Sequence, residues 1–214
     1  MKIINALADW RLSAFSYLTA VLSFSLHMIL LGLDDNSLHG VPPSAYAITL
    51  HCLLLLLLRV IVSPMKFGIS WRAYLLGSVC NIGCHLLLYP GFWTFGVYLI
   101  ALSFFHCSEF IIQAIYNPDS TSMDNYMLYH STPYVVAAIT SLIEYGVEAY
   151  LFPVLKVTGY VSNIGFCMVV LGEVLRKISM ITAKSNFNHY VQYRKNTGHE
   201  LVTSGVYGFF RFVW

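Results

Sequence analysis

Apolar residues fall into six long runs along the chain, separated by short polar breaks. A helix needs ~20 apolar residues to cross the hydrocarbon core of a bilayer. The runs cover Leu12 to Leu33, Ser44 to Ser63, Ala73 to Tyr89, Phe92 to Tyr116, Pro133 to Phe152, and Thr158 to about Ile181. Several stops are plain: Asp34-Asp35-Asn36 after the first run, Pro90-Gly91 after the third, Asn117-Pro118 after the fourth. Pro133 stands where a first helical turn accepts proline. With only Pro90-Gly91 between them, the third and fourth runs read as a tight helical hairpin. The pattern predicts an all-α, polytopic membrane protein of about six transmembrane helices, followed by a polar cytosolic C-terminal tail.

Composition supports the bilayer reading. Of 214 residues, 57% are hydrophobic and only 10% charged, with a mean hydropathy of +0.67. A soluble domain carries roughly 25% charged residues, so this chain lacks the polar groups to cover a water-facing surface. A net charge of +2 gives no case for nucleic acid. Basic residues set the expected orientation, because Lys and Arg concentrate in cytosolic loops. With both termini cytosolic, eleven of the twelve lysines and arginines fall on that side, and only Lys156 on the other.

Candidate chemistry is sparse in the first half. The five cysteines lie inside apolar runs. Cys80, Cys84 and His85 lack the second ligand pair of a zinc site, so no metal is expected. Nucleophile-elbow, zinc-protease and dinucleotide motifs are missing, which excludes the common soluble enzymes. Ionisable residues inside spans are costly and face a partner or a cavity. His106 and Glu109 share a helix face, as do Glu144 and Glu148, which are expected to bond to neighbouring helices. Glu173 is expected to pair with Arg176 along its own helix. His51 and His85 read as satisfied core histidines.

Polar chemistry concentrates after the sixth run. Ser185-Asn186-Phe187-Asn188-His189, then Gln192, then His199-Glu200-Leu201-Val202-Thr203-Ser204-Gly205-Val206-Tyr207 interleave amides, imidazoles and hydroxyls with aromatics. A polar small-molecule site at a membrane surface needs such groups. On composition alone the segment also reads as a solvated juxtamembrane helix.

These two motifs, with His106-Cys107-Ser108-Glu109-Phe110, Tyr129-His130-Ser131 and Gly172-Glu173 before Leu175-Arg176-Lys177, resemble the isoprenylcysteine carboxyl methyltransferases. The resemblance covers the second half in sequence and the first half in hydrophobic pattern. It implies a multi-pass enzyme of the endoplasmic reticulum membrane. Such enzymes move a methyl group from S-adenosyl-L-methionine to the C-terminal carboxylate of prenylated cysteine in proteins that carried a C-a-a-X ending. It places cofactor contacts at Gln192, His199, Glu200, Leu201, Val202 and Tyr207, with Glu200 acting through its backbone. No catalytic residue is assigned. Residues 1–184 are then the transmembrane helical domain, and 185–214 a partial cofactor-binding region of that same domain. The family pattern continues after an arginine matching Arg211 with His-Pro-x-Tyr and two further spans, whereas this sequence reads Arg211-Phe212-Val213-Trp214. The chain is therefore expected to be incomplete and poorly active alone. A non-catalytic membrane protein and a phospholipid methyltransferase stand as alternative readings.

Overall fold

The computed structural model describes residues 9–32, 43–156, 159–189, 198 and 200–209. Six long helices follow one another: α1 (Trp10–Gly32), α2 (Pro43–Ile61), α3 (Pro64–Leu86), α4 (Trp93–Tyr116), α5 (Thr132–Leu151) and α6 (Tyr160–Ala183), with a one-turn α7 (Val206–Phe209) in the tail. Among the described residues, α4 and α5 are long and apolar enough to cross a membrane on hydropathy alone. Helix α2 adds a shorter apolar stretch, Thr49–Ile61.

The third helix departs from expectation. It starts at Pro64, nine residues before the apolar run. Proline at the first helical position has the right φ and lacks a hydrogen there is no partner for. The segment holding Lys66 and Arg72, which the apolar runs leave between the second and third, is thus the start of α3. Arg72 folds back to donate to the Gly68 carbonyl at 2.9 Å and lies over the Trp71 ring. Lys66 donates to Asp9 at 2.6 Å, while Asp9 caps α1 by accepting from the Leu12 amide at 3.1 Å. Burial alone would raise the Asp9 carboxyl. The Lys66 ammonium and the Leu12 amide outweigh that and hold it below its usual range.

Helices α1, α3 and α4 form the packed centre. Ile69, Ala73, Leu76, Cys107, Phe110, Ala114 and Tyr126 make one buried cluster. Hydrogen bonds between helices stitch it together. Ser16 and Ser70 hydroxyls meet at 2.6 Å, Ser13 and Tyr126 at 2.8 Å, and Asn81 donates to the Ala20 carbonyl at 3.0 Å. Such bonds within membrane bundles average about 0.6 kcal/mol each. His51 sits between Ser23 and Tyr74, with a 2.8 Å contact to the Tyr74 hydroxyl.

Close backbone approach depends on Gly77. A Cβ there would lie 2.4 Å from the Tyr17 carbonyl oxygen and 2.8 Å from the Ala20 methyl. Gly77→Ala must push α1 and α3 apart, and overpacking of this kind costs about 1–3 kcal/mol. Thermal unfolding in detergent should show Gly77→Ala well below the parent. Gly165→Ala, where the added methyl meets nothing within 4 Å, should unfold at or above it.

Helix α5 is different in kind. It buries no residue and touches α4 through a few rings: Tyr145 stacks on Phe95 at 4.6 Å, and Tyr134 meets His106. Glu148 does not bond to a neighbouring helix. It pairs with Lys156, in the 3-10 turn (Pro153–Lys156) that follows α5, and Glu144 is exposed. Turning the chain straight back brings Lys156 within reach, so the acid is neutralised locally.

Candidate functional site

The densest polar construction lies where α4, α6 and the start of the tail meet. At its centre is Glu109, with a fully buried side chain. Arg176 approaches from α6 with two parallel bonds, Nε to Oε1 at 2.7 Å and Nη2 to Oε2 at 2.8 Å. Lys177 donates to Oε1 at 2.5 Å. His189, in the tail, meets Oε2 at 2.9 Å. A buried carboxylate survives only when its lone pairs are filled and its charge is matched, and here four donor contacts do both.

Neighbouring groups fix the protons. The turn between α4 and α5 contains a capping box: the Asn125 carboxamide oxygen accepts from the Ser122 amide, and the Ser122 hydroxyl accepts from the Asp124 amide at 3.2 Å. This turns the Asn125 NH₂ toward His189 Nδ1, at 3.0 Å. Nδ1 must therefore accept, and Nε2 donates to Glu109. His106 is fixed in the opposite sense. Its Nδ1 faces the Tyr126 carbonyl at 2.8 Å and must donate, which leaves Nε2 to accept from the Tyr134 hydroxyl at 3.0 Å. Burial pushes the Tyr126 phenol above its usual range, so it stays a neutral partner for Ser13.

Glu173 does not pair with Arg176 as the spacing suggested. Its partner is Lys177, one full turn on, at 3.3 Å, while Arg176 points across to Glu109. On a helix, i+3 and i+4 neighbours are both in reach, and the stronger claim of a buried carboxylate on the facing helix decides between them. The contact lacks hydrogen-bond geometry, and Glu173 Oε2 is a buried acceptor without a hydrogen bond.

An apolar cleft of about 380 Å³ opens beside this cluster, between α4 and α6. Trp93, Val97, Leu102, Phe105, Phe166 and Val169 line it, and Glu173 closes one end. Phe105 also carries both cations on its ring, with Arg176 Cζ at 5.4 Å and Lys177 Nζ at 4.9 Å from the centroid. The cleft thus ends at Glu173 and at the Phe105 ring that carries the two cations. The Arg176 side chain is 37% exposed.

The tail docks on the same corner. Asn117, at the end of α4, donates to the carbonyls of Ser185 and Phe187 at 3.4 and 3.2 Å. Asn186 accepts from the Glu200 amide at 2.9 Å. Gly205 takes φ +59°, packed on Thr182 of α6, and the Tyr207 hydroxyl donates to the Ser179 carbonyl at 3.4 Å. Burial raises the Tyr207 phenol, keeping it protonated. Of the six expected cofactor residues, Gln192 and His199 lie outside the described residues. Glu200 and Leu201 are exposed; Val202 and Tyr207 are half-buried against the end of α6. Since the Glu200 amide is already engaged, a backbone contact from that residue falls to its carbonyl.

This is the architecture of a helical membrane enzyme with an apolar cleft between α4 and α6 and a polar tail docked where those helices end. The family model for isoprenylcysteine carboxyl methyltransferases matches residues 164–212. The chain is 39% identical to the protein-S-isoprenylcysteine O-methyltransferase of Xenopus laevis over 211 residues, covering 96% of this chain and 72% of the frog protein. It is 46% identical to the human protein-S-isoprenylcysteine O-methyltransferase over 167 residues, which is 78% of this chain and 57% of the human one. A solved structure of the eukaryotic intramembrane Ras methyltransferase, isoprenylcysteine carboxyl methyltransferase, superposes with a TM-score of 0.86 at 36% identity, covering 94% of this chain and 73% of that one. The chain belongs to the isoprenylcysteine carboxyl methyltransferase family and is a membrane protein.

Proposed function

We propose that the chain serves methyl transfer from S-adenosyl-L-methionine to the C-terminal carboxylate of prenylated cysteine in proteins, at the endoplasmic reticulum membrane. The observation that carries this reading is the apolar cleft whose Phe105 wall carries Arg176 and Lys177 on its ring. It matches a substrate with a hydrocarbon tail at one end and a carboxylate at the other. The relatives' names supply the same chemistry. A phospholipid substrate fits less well, because a phosphodiester would put its charge between the chains and the reacting group.

Each residue then has a task. Glu109 takes the Nε edge of Arg176, and the Nη1 edge is left for the acceptor carboxylate. The acceptor is ionised at neutral pH, so no general base is required. The cofactor supplies an electrophilic methyl group on a sulfonium. The half-buried Val202 and Tyr207 beside Glu200 and Leu201 offer a ledge with apolar surface and polar backbone, which suits a nucleoside, and Gln192 and His199 complete the proposed cofactor set. Burial of the prenyl chain at ~0.8 kcal/mol per CH₂ supplies the anchoring. Alignment and exclusion of water do the rest.

The proposed topology has six spans with both termini cytosolic, so that the tail and the mouth of the cleft face the cytosol and Lys156 the other side. The proposed domain keeps residues 185–214 with the helices, a reading supported by the contacts of Asn117 with Ser185 and Phe187 and of His189 with Glu109. The test is transfer of radiolabelled methyl to a farnesylcysteine analogue in membranes containing the chain, with phosphatidylethanolamine as the competing acceptor. Label in the phospholipid but none in the farnesylcysteine would overturn the reading.

A further inference from the structure

A second cavity, of about 270 Å³, lies at the other end of the same helices. Thr94, Phe95 and Tyr98 of α4, Ser141, Leu142 and Tyr145 of α5, Lys156 of the following turn and Ser162 of α6 enclose it. Thr94 and Glu109 are fifteen positions apart on α4, about 22 Å along the axis at 1.5 Å per residue. The polar groups of this cavity are therefore remote from the Glu109 cluster, and the proposed methyl transfer gives them no task.

Three features mark it as a binding site. The Thr94 and Tyr145 hydroxyls are both buried and have no hydrogen-bond partner. Native proteins leave few such groups, because each costs about 1–3 kcal/mol. Lys156 lies over the Tyr145 ring, 4.8 Å from the centroid, and is paired with Glu148. The cation is thus fixed in place, and Glu148 engages one of its N–H donors and leaves others for a ligand. What the wall has in excess is O–H and N–H donors, so the missing partner is rich in acceptors. Thr94, Tyr98 and Ser162 also line the apolar cleft, so the polar cavity and the hydrocarbon slot are continuous. An acceptor-rich head joined to an apolar chain fills both.

We propose that this cavity binds the phosphate headgroup of a membrane phospholipid, whose acyl chain lies in the adjoining slot between α4 and α6. The phosphodiester oxygens accept from Thr94, Tyr145 and Lys156. On the topology proposed above, Lys156 is the single basic residue on its side of the membrane, which places the headgroup in the leaflet opposite the tail. The chain then runs toward the bilayer midplane, as a lipid of that leaflet does. The slot is the one the methyl-transfer reading gives to the prenyl chain, so lipid and substrate compete for it, and retention measured without substrate tests this inference separately.

The test is lipid phosphorus per chain, after reconstitution with dioleoylphosphatidylcholine and exhaustive exchange into detergent. The expected result is a single retained phospholipid per chain. Thr94→Val with Tyr145→Phe should weaken retention by about tenfold or more for each hydrogen bond to the charged head. The same variant should unfold at or above the parent temperature once both are stripped of lipid, since two orphaned hydroxyls are gone. If it fails to fold, Lys156→Gln carries the same expectation for retention. No retained lipid in the parent, or equal retention in the variants, overturns the proposal. So does displacement of the lipid by millimolar inorganic phosphate, which would mark the site as one for a free anion.

Discussion

Replacing Glu109 by glutamine should cost more stability than any other single change in the helical core. The substitution keeps the shape and removes the charge, leaving Arg176 without a counter-ion and Lys177 with Glu173 alone. Breaking one side of a buried ion pair costs about 3–5 kcal/mol. Denaturant unfolding in a defined micelle should register that loss. Adding Arg176→Met to Glu109→Gln should recover part of it, since the stranded charge is gone. Equal stability of the single and double variants would mean that Arg176 reaches the surface in the variant, and that the cluster is looser than its distances indicate.

The second large effect concerns chemistry. Arg176→Met should abolish recognition of the acceptor carboxylate while leaving the apolar cleft in place. Two charge-assisted bonds of about 1.5–3 kcal/mol each are lost, and each 1.36 kcal/mol is a factor of ten in rate. A fall in kcat/KM of roughly 10²- to 10⁴-fold follows for a farnesylcysteine analogue. Arg176→Lys should remain strongly impaired, because an ammonium cannot hold Glu109 with one edge and a substrate with another. Binding of S-adenosylhomocysteine, followed by calorimetry, should be unchanged in both. A variant that loses cofactor binding in step with activity would place Arg176 in the wrong role.

Much of this was legible in the sequence. Helix positions follow from the apolar runs, because a bilayer filters for length and hydropathy. The start of α3 was not legible in that way, since Lys66 and Arg72 broke the run while their side chains fold along the helix or pair with Asp9. The ionisable residues in α4 and α6 stood out as costly, and each does have partners. Who pairs with whom was hidden. Glu109 and Arg176 are 67 positions apart, and spacing rules speak only for neighbours on one helix. That is why Glu173 and Arg176 looked like a pair. His189 and Asn125 carried a weaker signal still: a polar residue beside an aromatic suggests a site, but only the capping box at Ser122 turns Asn125 toward the imidazole. The resemblance located the tail motif, and the geometry adds that the Glu200 amide is engaged by Asn186.

The Glu109 cluster also sets terms for how the chain is made. Helix α4 leaves the ribosome well before α6 and the tail. Until those segments arrive, Glu109 stands in an apolar helix without its two cations and its imidazole. An ionised carboxylate at that depth costs several kcal/mol during insertion, so the nascent helix enters protonated or holds the acid in water at the mouth of the insertion machinery. Arrival of α6 ends that state, and Asn117 and His189 then draw the tail onto the same corner. Membrane insertion of α4, docking of α6 and folding of the tail are in this way ordered by a single acidic side chain, and a stalled chain ending before Arg176 should be a substrate for membrane quality control.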